Sequence, residues 1–130
     1  MLLNIAFLIS ILMLIGLLIF YFFQEKFIFR NGHRLCENVP FQFSTPFDEV
    51  FLTTTDQQEI NAVHLRLPAP KGVVLFFHGN KGNLTKWGER VNFFLKDAYE
   101  VFVIDYRNYG KSTGNFNENQ MYEDALLAYA

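Results

Sequence analysis

The chain has 130 residues, a net charge of −2, one cysteine and a hydrophobic content of 51%. Its basic residues form no run, which leaves no electrostatic footprint for nucleic acid, and a lone cysteine, Cys36, excludes an intrachain disulfide. His33, His64 and His78 lie too far apart in sequence, from each other and from further candidate ligands, for metal-ligand spacing, so no metal or other cofactor is expected.

Met1 to Phe23 carries no charged side chain. At ~1.5 Å per residue such a helix covers the ~30 Å hydrocarbon core of a bilayer, which predicts one transmembrane helix. No basic residue precedes Lys26 and the exit is bulky, so the segment reads as an uncleaved, single-pass anchor and not as a signal peptide. Tyr21, Phe22, Phe23, Phe27 and Phe29 suit one membrane interface, and Lys26, Arg30 and Arg34 place the part that follows in the cytoplasm. Residues 24–46, with Pro40 and Pro46, read as a juxtamembrane linker.

Phe47 to Thr54 sets Val50, Leu52 and Thr54 on one face, and Ile60 to Leu67 sets Val63, Leu65 and Leu67 on one face, so the spacing predicts two strands joined at Thr55 to Gln58. Val73 to Phe77 is a gapless apolar run, the pattern of a central strand buried on both faces. The loop after it, with Gly79 and Gly82, allows a main chain to approach a ligand closely, and a helix start near Asn83 or Thr85 aims its positive end back at that loop. An oxyanion or phosphate cradle and an ordinary strand-to-helix turn both fit these residues.

Leu84, Trp87, Val91, Phe94, Leu95 and Ala98 recur at steps of three and four, predicting one amphipathic helix on a sheet, with Trp87 in the core. Val101 to Ile104 is a further strand ending at Asp105, and Tyr106 to Phe116 is loop. A last helix begins after Asn117, with Gln120 as capping-box partner and Tyr122, Ala125, Leu126 and Tyr129 as its expected buried face. The fold class is α/β, in the order β-β-β-α-β-α.

Two motif matches fail on context. Gly110 to Gly114 fits G-x-S-x-G, but a nucleophile elbow sits directly between strand and helix, whereas Ser112 follows the strand end at a distance and reads as a loop serine. Gly110-Lys111-Ser112 lacks the leading glycine of a P-loop, whose position holds Asp105, an anion that would repel phosphate.

Three segments together resemble the α/β-hydrolase superfamily, and within it the membrane-anchored, Bem46-like serine hydrolases. They are Pro46-Phe47-Asp48-Glu49-Val50, then Leu75-Phe76-Phe77-His78-Gly79-Asn80-Lys81-Gly82-Asn83, then Asp105-Tyr106-Arg107-Asn108-Tyr109-Gly110-Lys111-Ser112. The resemblance implies the N-terminal half of an α/β-hydrolase fold, residues 47–130, behind the anchor. It implies hydrolysis of an ester, thioester or amide by a Ser-Asp/Glu-His triad on an acyl-type small molecule or lipid. One oxyanion donor carries over to the backbone N–H of Asn80. His78 and Gly79 shape that loop, and Asp105 and Arg107 pin the neighbouring one; His78 comes too early in the chain to be the triad histidine.

The sequence departs from the family pattern at Asn108 and Ala98, where glycine is usual, and at Gln57-Gln58, where an Asp-Gly turn is expected. Nucleophile, acid and histidine would all follow the final helix, so the expectation is a truncated hydrolase, inactive alone, with an open edge beside Val73 to Phe77. The competing expectation is a non-catalytic, membrane-tethered protein that binds a partner along that edge.

Overall fold

A computed structural model describes residues 2–29, 34–36 and 38–130. Arg30 and His33, both used above, lie outside the described residues. The chain divides into two units, Met1–Arg30 and Asn31–Ala130.

The first unit is helix α1, Leu2–Ile28. It is long and apolar enough to cross a membrane, and its side chains from Leu2 to Phe23 are exposed.

The second unit is a four-stranded mixed sheet with helices on both faces. Its elements are β1 (Phe47–Thr53), β2 (Glu59–Leu65), β3 (Gly72–Phe77), α2 (Leu84–Arg90), α3 (Asn92–Lys96), β4 (Tyr99–Ile104) and α4 (Glu118–Tyr129). The strand order is β1-β2-β4-β3. β1 and β2 form an antiparallel hairpin, β2 pairs antiparallel with β4, and β3 pairs parallel with β4 through the α2–α3 crossover. Alternation of side chains splits the core in two. Val63, Leu65, Val101 and Val103 meet Leu84, Val91 and Phe41 on one face, while Ile60, Ala62 and Ile104 meet Ala128 on the other. Each large aliphatic so buried contributes about 1.5–3 kcal/mol against exposure.

Four expectations change. The apolar run Val73 to Phe77 reads as a central strand, but among the described residues β3 has a single neighbour, the open edge expected of half the fold, and Val73 and Phe77 are 54% and 40% exposed. The two-sided strands are β2, where Ile60 to Val63 are all buried, and β4, which sits between β2 and β3. The single helix expected after Asn83 is two. Val91 stands between them at φ −81° and ψ 1°, and Phe94 N–H bonds its carbonyl at 3.1 Å, a three-residue step that turns the chain while Val91 stays fully buried.

The third change is the face of α4. Tyr122, Leu126 and Tyr129 are 62%, 69% and 82% exposed, and Asp124 is buried in their place. A buried ion pair between Asp124 and Arg107 sets this rotation, as described below. Finally, the linker is not free along its length. α1 runs on to Ile28, Leu35 N–H bonds the carbonyl of Gly110 at 2.8 Å, and Phe41 lies in the core.

The described non-glycine residues with left-handed backbones are Gln57 (φ 61°), Ala98 (φ 67°) and Asn108 (φ 64°). These lie at the three places where the sequence departs from the pattern it resembles, so the turns form without the expected residues. Asn tolerates this region, but alanine does not gain from it. Ala98→Gly relieves roughly 1–2 kcal/mol of left-handed strain against roughly 0.4–1 kcal/mol of added unfolded-state entropy. The variant is therefore expected to be more stable by about 0.5–1 kcal/mol, read as a higher urea midpoint; a lower midpoint would mean that Ala98 is unstrained.

Candidate functional site

The carboxyl-terminal ends of β3 and β4 lie side by side, Phe77 paired with Ile104. The loops that leave them, 78–83 and 105–117, therefore meet, and they bring His78, Gly79, Asn80 and Asp105 together. Asn83 closes the first loop as the N-cap of α2, its side-chain oxygen accepting from Thr85 N–H at 3.1 Å. Gly82 is needed there: its φ is +88°, and an added Cβ would crowd the Lys86 side chain at 3.2 Å.

The first loop is held from beneath by a buried polar cluster. His78 Nδ1 lies 2.6 Å from the carbonyl oxygen of Gly79, and His78 Nε2 lies 2.9 Å from Asp105 Oδ1. Both side chains of this pair are fully buried. A carbonyl can only accept, so the bond to Gly79 has Nδ1 as its donor, and Nε2 faces the Asp105 carboxyl. Burial pushes the Asp105 carboxyl above its ordinary range. Asp105 Oδ2 also accepts from Leu84 N–H at 3.2 Å, which ties the cluster to the first turn of α2. Gly110 closes the space beside it, since a Cβ at that position would overlap Asp105 Oδ2.

Two tyrosines of the second loop reach back to the first. Tyr106 Oη donates to the His78 carbonyl at 2.7 Å, and Tyr109 Oη donates to the Asn80 carbonyl at 3.1 Å. Burial pushes the Tyr106 phenol up to about 12, so it stays a neutral donor across the physiological range. The His78 ring stacks on Trp87 at 5.9 Å and lies 4.6 Å from Tyr106. Trp87 Nε1 donates to the Lys81 carbonyl at 2.9 Å.

Arg107 belongs to a separate cluster. Its Nε and Nη2 bond the two oxygens of Asp124 at 2.8 and 2.9 Å, and Nη1 and Nη2 bond those of Asp56 at 2.6 and 2.9 Å. The pairs join the β1–β2 turn, the 105–117 loop and α4. They raise the guanidinium pKa further, and Asp56, bonded by Arg107 and by Thr54, is held down at about 2.

Ser112 is fully buried. Its Oγ donates to the Asp105 carbonyl at 2.7 Å and accepts from Asn61 N–H at 2.8 Å, so it knots the loop to β2 with no base beside it. Lys111 is likewise committed, with Nζ 2.7 Å from Glu49 Oε1 and 4.5 Å above the Phe41 ring.

The structure thus brings four of the five expected site residues to one place and sets Arg107 apart. Sequence reasoning missed Tyr106, Tyr109 and Asp124. The tyrosines flank Arg107 at a spacing that fits a turn, but nothing in their pattern specifies which carbonyls their hydroxyls reach.

No family model matches the chain. Protein bem46 of Schizosaccharomyces pombe is 31% identical over 88% of this chain and 41% of its own length. The alpha/beta hydrolase domain-containing protein WAV2 of Arabidopsis thaliana is 26% identical over 82% of this chain and 37% of its own. This chain thus spans about two fifths of the length of these curated relatives. Among solved structures, an esterase of Pyrococcus furiosus superposes with a TM-score of 0.56 at 23% identity, over 76% of this chain and 39% of the esterase, a likeness of fold.

Proposed function

The chain belongs to the α/β-hydrolase superfamily, as a Bem46-like member matched over the N-terminal part of its relatives, and from that premise we propose that it is the N-terminal portion of a membrane-anchored serine hydrolase. The reaction is hydrolysis of an ester, thioester or amide through an acyl-enzyme, on a small acyl-type or lipid substrate. Asn80 supplies a backbone N–H to the oxyanion, and nucleophile, acid and histidine belong to the remainder of the fold, outside the part matched here. α1 is the anchor, and the domain lies on the cytoplasmic side.

One observation carries this reading: the Gly79–Asn80 peptide sits at the end of β3, where its carbonyl is held by a buried histidine. A preorganised donor aimed at a developing oxyanion is worth about 3–4 kcal/mol of barrier. A second reading has one observation in its favour: among the described residues β3 is paired on one side only. In it the half-sheet is a non-catalytic, membrane-tethered binding module.

The deciding experiment is an immunoblot of native membranes with an antibody to residues 24–46, paired with fluorophosphonate labelling. The hydrolase reading expects a band well above the 15.2 kDa of this chain that takes the probe. An unlabelled band at that mass, recovered in fixed ratio with a second protein, would favour the binding module.

A further inference from the structure

We infer that the polar cleft beside Arg107 binds a phosphate monoester carried on a hydroxylated scaffold, a phosphorylated polyol, with Arg34 gripping the phosphate. The inference stands apart from the hydrolase reading, since no residue of the 78–83 loop lines this cleft.

The cleft has a volume of about 530 Å³, within the ~300–1,000 Å³ range of small-molecule sites. Four segments meet around it: the stretch that carries Arg34, the β1–β2 turn, the 105–117 loop and the start of α4. Arg34 forms a parallel bridge with Gly110, and Leu35 N–H bonds the Gly110 carbonyl at 2.8 Å, so the backbone under Arg34 is pinned to the loop. Gly114 has a φ of +81°, and a Cβ there would stand 3.0 Å from Gln58 Cγ and 3.3 Å from Arg107 Cδ. Its bare backbone therefore leaves room for both side chains in the wall.

No aliphatic or aromatic side chain is among the described residues that line the cleft, so an acyl chain has nothing to pack against. What it offers is charge and carboxamides. Arg107 is committed to Asp56 and Asp124, and both Asp56 oxygens are in turn occupied, by Arg107 and by Thr54 Oγ1 at 2.6 Å. Arg34 is exposed and has no carboxylate partner among the described residues. Its planar fork is left to hold an oxyanion by two bonds. Gln58, Asn115, Asn117 and Gln120 also line the cleft, each with an amide that donates and accepts, as hydroxyl groups require. A carboxylate would be satisfied by the guanidinium alone, whereas the three oxygens of a phosphate use the amide donors too. The helix end is not the attraction, because Asn117 Oδ1 already accepts from Gln120 N–H at 2.9 Å.

One chemistry has two sources here. The ester reaches the cleft free in solution, or as the headgroup of a phosphoinositide, given that Arg34 follows the apolar helix α1 closely in sequence. The competing account is a solvated arginine over a wet crevice whose Arg107 wall serves the fold alone.

The test is heteronuclear NMR of the isotope-labelled 130-residue chain in phosphatidylcholine bicelles. Inositol monophosphate, inositol and inorganic phosphate are titrated in turn, and bicelles doped with phosphatidylinositol phosphate are compared with undoped ones. The amides of Arg34, Gly114, Asn115 and Gln120 are expected to shift saturably with the ester, soluble or in the bicelle, and not with inositol. Arg34→Gln is expected to weaken binding about tenfold, the loss of one charge-assisted pair. Asn115→Ala, at an exposed position, should weaken it with an unchanged urea midpoint, and Arg90→Gln, a cation set over the Trp87 ring outside the cleft, should leave it intact. Response to doped bicelles alone assigns a lipid headgroup, and response to the soluble ester alone a free metabolite. No saturable shift in either arm would overturn the site, as would a response that survives Arg34→Gln or falls equally in Arg90→Gln. Inorganic phosphate binding as tightly as the ester would overturn the polyol.

Discussion

Arg107→Ala is expected to cost about 3–5 kcal/mol of stability, because it strands a buried carboxylate. The side chains of Arg107 and Asp124 are each 3% exposed, and the planar guanidinium satisfies both oxygens of Asp124 at once. Without it, Asp124 must either ionise in a dry setting or turn α4 outward. Domains of this size are stable by about 5–15 kcal/mol, so a loss of that order leaves the fold marginal. The Asp56 arm is different. That side chain is 46% exposed, so Asp56→Asn is expected to change little at neutral pH. With its carboxyl held at about 2, below the ordinary 3.8, its contribution is complete above 3.8 and fades as the pH falls toward 2. Trp87, the only tryptophan, reports both variants by fluorescence in urea. An Arg107→Ala loss under about 1 kcal/mol would mean that water reaches Asp124. The double variant Arg107→Ala, Asp124→Ala should recover part of the loss by removing the stranded charge.

Phe41→Ala is expected to cost about 3–5 kcal/mol as well, by opening a cavity under the Val63, Leu65 and Val101 face. Phe41 is 6% exposed, stacks on Phe43 at 5.6 Å and lies under Lys111 Nζ. Val39, two residues earlier and 41% exposed, serves as the control, where truncation to alanine should fall within about 0.5 kcal/mol. Equal effects at the two positions would return Phe41 to the linker.

Local patterns carried most of the fold. Alternation at Val50 and Leu52 and at Val63 and Leu65 marked two strands whose faces the sheet keeps. Asn83 and Asn117 marked two helix starts, each now seen accepting a backbone N–H. Non-local decisions were out of reach. A gapless apolar run reports burial of its side chains, not how many neighbours its backbone has, so β3 looked central by pattern, and only the family resemblance put an open edge beside it. The stripe Tyr122, Leu126 and Tyr129 gave α4 a face by hydrophobicity, and an ion pair 17 residues back in sequence overrode it. Residues 24–46, with Pro40 and Pro46, read as linker because Phe41 and Phe43 show no period of two or of 3.6. At the site, the sequence marked Asp105 and His78, but not that one carboxylate would serve the histidine while Arg107 turned to Asp124 and Asp56 instead.

The order of the strands in the sheet also differs from their order of synthesis. β1 and β2 can pair as soon as both exist, but β3, made third, is seated fourth, beyond a β4 that has not yet been translated. The ~20 residues between Phe77 and Tyr99 take about 1–4 s to add at ~5–20 residues per second. For that interval Val73-Val74-Leu75-Phe76-Phe77 leaves the ribosome with no hydrogen-bond partner on either side, an uncharged segment of the kind that holdase chaperones recognise. Nascent-chain crosslinking should therefore trap such a chaperone on β3 at chain lengths at which β3 has left the ribosome and β4 has not, and release it once β4 has emerged.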